Sequence, residues 1–227
     1  MMKVMWGFLL NKNMKKTAIL IDGEWFRRGL QQALKPQLPN GVTADVMYKN
    51  ALLAIDASTE EIYRIFYYDC PPYEGTETNP IDKSVVKFKN QPKHAARSLF
   101  LDQIARKDFV ALRLGVAKRR GWHLTDQWVK QAISGQVSGT PQVSDVYLSL
   151  EQKGVDMRLG IDVASLTLKE QVERIVVISG DTDMIPALKL ARREGVQVIL
   201  VAIQQWVKLT KALTEDADIV REIVPVP

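Results

Sequence analysis

Residues 174–201 read RIVVISGDTDMIPALKLARREGVQVILV, and this stretch decides the fold class. Arg174 to Ile178 is a short run of branched apolar residues, the composition of a strand buried on both faces. It stops at Ser179-Gly180-Asp181, small and polar residues that suit a tight turn. Apolar positions then return at helical spacing as Met184, Ala187-Leu188 and Ala191. Pro186 falls in the first turn, where its missing N–H costs little, and Gly195 is placed to end the helix. Val196 to Val201 repeats the strand pattern. A strand, a helix and a strand in immediate succession predict a parallel sheet with helices packed on both faces.

Working outward, Val207 to Thr214 reads as a helix and Ile219 to Ile223 as a short last strand. Before the decisive stretch, Val155 to about Leu168 is helical, with Leu159, Val163 and Leu166 on one side. Near the beginning, Thr17 to Ile21 is a second buried-strand run that ends at Asp22-Gly23. It leads into an amphipathic helix from Glu24 to about Leu34, with Phe26, Leu30 and Ala33-Leu34 at helical spacing and Pro36 as the stop. Thr43 caps another helix through Val46, Tyr48 and Leu52-Leu53. Glu61 to Asp69 has strand composition and ends at Cys70-Pro71-Pro72. Residues 73–80 form a loop, 82–107 read largely as helix interrupted near Pro92, and Phe109 to Val116 is a strand. Residues 118–150 carry Gly121, Trp122, Trp128, Gly135, Gly139 and Pro141 without a clean period, which predicts a loop or arm. The chain has no internal repeat.

A chain of 227 residues suits one α/β domain with an insertion or two. With 46% hydrophobic and 25% charged residues it falls in the ordinary globular range, against wholesale disorder or a membrane protein. No stretch approaches the roughly 20 apolar residues of a spanning helix. The single cysteine, Cys70, has no second thiol for a disulfide or a zinc site, which points to a reducing compartment and so to the cytoplasm. Residues 1–15 resemble a signal peptide only faintly, because Asn11-Lys12-Asn13-Met14-Lys15-Lys16 follows the short apolar run in place of a cleavage site. They are expected to be a disordered leader, with Met14 as a candidate later start. A net charge of +5 and a pI near 9.2 permit a polyanionic partner.

The chemistry-bearing residues are carboxylates. In an open parallel sheet, ligands bind beyond the carboxyl ends of the strands. One strand delivers Asp22 there, with Glu24 two residues on, and another delivers Asp181 and Asp183. Asp156 opens a helix and Asp162 follows about a turn and a half later. Each aspartate alone has an ordinary role as a helix cap. The convergence of Asp22, Asp181 and Asp183 on one edge of the sheet is different, because two unit charges about 4 Å apart repel by about 4 kcal/mol at an effective dielectric near 20. A cluster without an adjacent base calls for a cation, and hard oxygen ligands without a Cys/His set point to magnesium or manganese rather than zinc. His94 and His123 stand alone. Such a metal beside a basic surface suits phosphodiester hydrolysis by activated water. Ser179 could orient a phosphate, but as a nucleophile it lacks a nearby histidine base. No Walker loop and no dinucleotide-binding glycine fingerprint is present.

At Ile19-Leu20-Ile21-Asp22-Gly23, Gln152-Lys153-Gly154-Val155-Asp156 with Asp162, and Ile178-Ser179-Gly180-Asp181-Thr182-Asp183, the sequence resembles the NYN-domain family, in particular its bacterial LabA-like members. These are PIN-like relatives of metal-dependent ribonucleases. The resemblance continues through Pro186 to Arg192. It implies a single NYN/PIN-like domain over 16–224, with insertions near 73–80 and 118–150, in a three-layer PIN-like/Rossmann-like α/β fold with a mainly parallel central sheet. It further implies that Asp22, Asp156, Asp181 and Asp183 are catalytic and metal-binding, with Asp162 an additional ligand, and that Mg2+ or Mn2+ is the cofactor. The expected partner is nucleic acid, single-stranded RNA in particular; related folds often pair, so a homodimer is a further expectation. Many family members have asparagine shortly after the first aspartate, where this chain has Glu24-Trp25-Phe26, which puts efficiency in question and leaves Glu24 as a substitute contact. Lys153 could meet a scissile phosphate or pair with an aspartate. Trp25, Trp122 and Trp128 could stack on bases or pack in the core.

Two other readings use the same residues. Asp22 as the covalent nucleophile of a haloacid-dehalogenase-like phosphatase would want a second aspartate where Glu24 stands. A non-catalytic RNA- or metal-binding regulatory module would keep the acidic cluster without cleavage.

Overall fold

The computed structural model describes residues 14–227 except Ser138 and Val207. The expected leader lies, apart from Met14 and Lys15, outside the described residues, as does the first residue of the helix expected at Val207. In chain order the strands are Lys15–Asp22 (β1), Glu60–Asp69 (β2), Thr76–Thr78 (β3), Val85–Lys87 (β4), Val110–Leu114 (β5), Val116–Leu124 (β6), Val146–Lys153 (β7), Arg174–Ile178 (β8), Gln197–Ile203 (β9) and Ile219–Ile223 (β10). The α-helices are Gly23–Ala33 (α1), Ala44–Leu52 (α2), Pro92–Ala105 (α3), Asp126–Ile133 (α4), Val155–Leu168 (α5), Ile185–Arg193 (α6) and Lys211–Glu215 (α7).

The chain divides into two compact units. The first contains the described residues up to Asp69 together with Asp102–Leu114 and Val155–Pro227. Its core is a six-stranded sheet in the order β10-β9-β8-β1-β2-β5, parallel throughout. Ala18 and Leu20 of β1 share an apolar cluster with Leu159 and Val163 of α5 and Leu188 of α6. Ile19 and Ile21 alternate to the opposite face, where α1 packs against β1 and β2. Both faces are therefore covered, which explains the unbroken apolar composition of β1 and β8 and makes three layers of helix, sheet and helix. The fold is the α/β arrangement expected from the sequence.

Helix ends follow the sequence closely. Asp22 caps α1, and Thr43 caps α2 by accepting from the Val46 N–H at 3.3 Å. Gly195 takes a φ of 86° after α6, while the Val196 N–H reaches back to the Ala191 carbonyl at 2.9 Å and its own N–H to that of Arg192 at 3.1 Å. This six-to-one closure satisfies carbonyls that the helix end would otherwise leave bare.

The amino-terminal end of the sheet carries a buried ionic clasp that the sequence did not advertise. Glu60, 2% exposed, accepts from Arg221 Nη2 at 2.9 Å and Nη1 at 3.1 Å, from the Asp56 N–H at 2.8 Å, and from Arg174. Burial raises the Glu60 carboxyl, and these donors more than cancel that effect, leaving it below the ordinary value.

The second unit contains Cys70–Leu101 and Gly115–Gly154. Here the structure refines one expectation and corrects three. The loop or arm expected at 118–150 is, among the described residues, an arm built from β6, α4 and β7: β6 and β7 pair antiparallel, and α4, capped by Thr125, lies between them in sequence. The register shifts between Arg119 and Gly121, so a bulge breaks the two-residue alternation on which a strand reading depends. The loop at 73–80 contains β3, which pairs with β4, so Val85–Lys87 is strand where helix was expected. Pro92 begins α3 instead of interrupting it, as suits a residue with no N–H to donate. The strand expected through Val116 ends at Leu114, and Val116 begins β6. Glu77, 8% exposed, anchors this unit by accepting from Tyr73 Oη and Arg119 Nε, each at 2.7 Å. Among the described residues no helix is long and apolar enough to cross a membrane.

Candidate functional site

Strands β1 and β8 lie side by side and parallel, with Ile21 opposite Ile178. From β1 the chain moves to β2 on one side, whereas from β8 it moves away to β9 and β10 on the other. Their carboxyl ends therefore flank the point where strand order reverses, which opens a crevice in sheets of this kind. Asp22 stands at the end of β1, and Ser179 and Asp181 follow β8.

A chain of hydrogen bonds ties these residues together. One Asp22 oxygen accepts from the Trp25 N–H at 3.0 Å and the other from the Ser179 hydroxyl at 3.3 Å. Ser179 is fully buried and also accepts from the Asp181 N–H at 3.1 Å. Asp181 in turn accepts from the Asp183 N–H at 2.9 Å. Gly23 is required directly after Asp22: a Cβ there would lie 2.5 Å from the Tyr67 hydroxyl oxygen and 2.6 Å from Asp69 Oδ2.

Asp22, Asp156 and Asp181 line one small cavity, whose other walls are Ser179 and the apolar Val155, Leu159 and Met184. Asp156 arrives from the first turn of α5. Burial pushes the Asp22 carboxyl above its ordinary value; the Trp25 and Ser179 hydrogen bonds pull it back, and the charges of Glu24 and Asp156 raise it again. Asp156 is raised by burial and then by Asp181 and Asp183. Among the described residues, the charged neighbours that shift both are acidic, so negative charge accumulates here. Hard oxygen donors in this surplus fit a small divalent cation. Among the described residues, however, no three His, Cys, Asp or Glu side chains stand close enough together to hold one as they are placed.

The remaining sequence candidates are distributed differently. Asp183 is exposed, does not line the cavity, and acts on Asp156 through its charge. Asp162 is engaged elsewhere: it accepts from the Tyr68 hydroxyl at 2.9 Å and Arg113 Nε at 2.8 Å, beside a separate cavity. Its charge and burial push the Tyr68 hydroxyl well up, burial being the larger effect. Glu24 pairs with Arg28 one turn along α1. Lys153 pairs with Glu151 at 2.7 Å. Trp122 lies on β6 opposite Leu148 and Trp128 in the first turn of α4. His94 sits 3.5 Å from Glu74, and His123 faces Tyr147. The basic runs are partly neutralised, Arg119 by Glu77, Arg120 by Glu151 and Arg192 by Asp218.

Two residues at this end of the sheet escaped the sequence reading. Asp69, 1% exposed, ends β2 as Asp22 ends β1, and the same strand-then-aspartate signal was there to find it. Trp206 lies in the turn after β9 with its ring centroid 4.3 Å from that of Trp25; nothing local in the sequence marks that pairing.

The NYN domain family model matches residues 16–223, nearly the whole chain. Among solved structures, the chain is similar to a protein of unknown function from Vibrio parahaemolyticus, with a TM-score of 0.49 and 14% identity over 94% of this chain and 95% of that one. No curated protein matches.

Proposed function

The chain belongs to the NYN-domain family, a family of PIN-like nucleases, and from that premise we propose that it is a metal-dependent ribonuclease that hydrolyses phosphodiester bonds in single-stranded RNA. The observation that carries this reading is the convergence of Asp22, Asp156 and Asp181 on one cavity at the strand-order reversal, with no basic side chain among its described lining residues.

Asp22, Asp156 and Asp181 would hold Mg2+ or Mn2+, Asp156 and Asp181 turning toward Asp22 to do so, with Asp183 adding negative charge at the rim. A bound ion of this kind supplies an activated water and offsets charge on the phosphate. The protein's part is to aim the ligands. Ser179 and the Trp25 N–H grip the two oxygens of Asp22, which limits its rotation and keeps it directed at the cavity. Val155, Leu159 and Met184 make an apolar floor that strengthens each charge interaction above it. Glu24 occupies the region where relatives carry asparagine and would contact substrate or bound water once released from Arg28. The setting we assign is cytoplasmic.

The test is incubation of purified protein and an Asp181→Asn variant with labelled single-stranded RNA in manganese, magnesium or EDTA. Cleavage that requires metal and disappears in the variant is the expected result. A second reading, a non-catalytic metal- or RNA-binding module, draws on the separation of the carboxylates as placed. Metal binding that the variant loses, without cleavage of any RNA or DNA by the wild type, would establish it instead.

A further inference from the structure

The aromatic pair beside the acidic cavity is built at a cost to the backbone. Trp25 lies against the loop that carries Ser179 and Asp181: a Cβ at Gly180 would stand 2.3 Å from the indole Nε1. Trp206 lies against α1, where a Cβ at Gly29 would stand 2.3 Å from its Cε3. Glycine is a poor residue for a helix interior, and here its bareness is what admits the ring. The two indoles meet at a centroid distance of 4.3 Å and an interplanar angle of 57°. The tilt keeps them from covering each other as parallel plates would.

Anchoring α1 does not require these rings to be aromatic. Phe26 and Leu30 of the same helix are fully buried and supply that contact, while Trp25 and Trp206 both remain only half-buried. Two indoles left partly exposed, one of them against the loop that supplies Ser179 and Asp181 to the cavity, offer a source of affinity that does not depend on charge. Base faces stack on such surfaces irrespective of sequence. Lys208, exposed and two residues beyond Trp206, adds a cation for the adjoining backbone.

We propose that Trp25 and Trp206 form a nucleobase-stacking subsite beside the carboxylate cavity, taking an unpaired base next to the phosphate bound there. The proposal rests on the nucleic-acid reading of that cavity. It also sharpens it, because bases inside a duplex have both faces covered and only an unpaired base can reach an indole. Stacking does not read the 2′-hydroxyl, so the subsite selects single strands over duplexes and leaves the choice of RNA over DNA to other contacts.

The experiment uses the full chain carrying Asp181→Asn, which consumes no bound strand and presents one negative charge fewer to its phosphates. Affinity is measured by anisotropy for a labelled single-stranded RNA, its DNA counterpart, the matching duplex, and an abasic strand of equal length. Adding Trp206→Ala should weaken binding of both single strands by about 5- to 100-fold. It should leave duplex and abasic-strand affinities unchanged, and Trp206→Phe should restore most of the loss. Unchanged single-strand affinity in Trp206→Ala overturns the proposal. So does an equal loss on the abasic strand, or failure of Trp206→Phe to recover binding, since each makes the effect one of structure or charge. Cleavage by the wild type is read separately. Stacking-dependent binding without cleavage supports the subsite and removes the nuclease reading, whereas cleavage without tryptophan dependence removes the subsite alone.

Discussion

The hydroxyl of Ser179 donates to Asp22 at 3.3 Å across 157 positions of sequence. The same oxygen accepts from the Asp181 N–H at 3.1 Å, so one buried atom sets both carboxylate-bearing segments. Ser179→Ala removes both bonds while leaving the carboxylates themselves in place. Supporting contacts of this kind are worth about 10- to 100-fold in metal affinity or activity. Manganese affinity by isothermal titration calorimetry should fall within that range; an unchanged value would mean that Ser179 does not aim Asp22.

Asp22→Asn should stabilise the metal-free protein and destroy its response to metal. Burial foremost, with Glu24 and Asp156, holds the Asp22 carboxyl above its ordinary value despite two hydrogen bonds, so folding favours its protonated form. That stabilising contribution is complete below the unfolded-chain value and lost as pH rises through the folded one. At pH 7 in EDTA the variant should melt about 2–4 °C above wild type, the shift that ~1 kcal/mol gives a domain of this size. The advantage should fade on acidification, and manganese should raise the melting temperature of wild type only. Asparagine still caps α1, so loss of the cap would not confuse the comparison.

Asp162→Asn should behave differently. Its carboxylate holds Arg113 and the Tyr68 hydroxyl, away from the cavity lined by the other aspartates. Loss of these charge-assisted bonds, in a partly exposed position, should lower stability by about 1–2 kcal/mol in chemical denaturation. The manganese-induced rise in melting temperature should survive. Its disappearance would assign Asp162 to the metal.

Glu60→Gln tests the clasp at the opposite end of the sheet. Removing the charge leaves Arg174 and Arg221 without their buried counter-ion, a change that costs about 3 kcal/mol or more. Because the Glu60 carboxyl lies below its ordinary value, its contribution is present above the unfolded-chain value and lost as pH falls through the folded one. Urea midpoints should therefore differ widely at pH 7 and converge in acid. A difference independent of pH would trace the effect to packing.

The legible parts of this molecule are those where local pattern and tertiary environment agree. Arg174–Ile178 is buried at every position, so its composition alone marks the strand, and Gly195 ends α6 because only its left-handed backbone is needed there. Strand ends and the rule for ligand crevices bring Asp22 and Asp181 to one place; they also brought Asp183, which does not line the cavity, while Asp156, on a helix, was joined to the set only by the family resemblance. The β6-α4-β7 excursion was not readable, because its strands are half exposed and a bulge interrupts their alternation. The clasp around Glu60 and the Trp25–Trp206 contact were equally hidden. Each joins residues far apart in sequence, and neither carries a local spacing that would announce it.

The position of β1 between β2 and β8 also bears on how the protein is made. A ribosome delivers Asp22 first, and its partner Ser179 only 157 positions later. Until then the inner strand of the future sheet lacks one neighbour and its terminal carboxylate lacks its hydroxyl partner. The carboxylate cluster is thus a late product of synthesis: no segment shorter than the one from Asp22 to Asp181 holds all of its members.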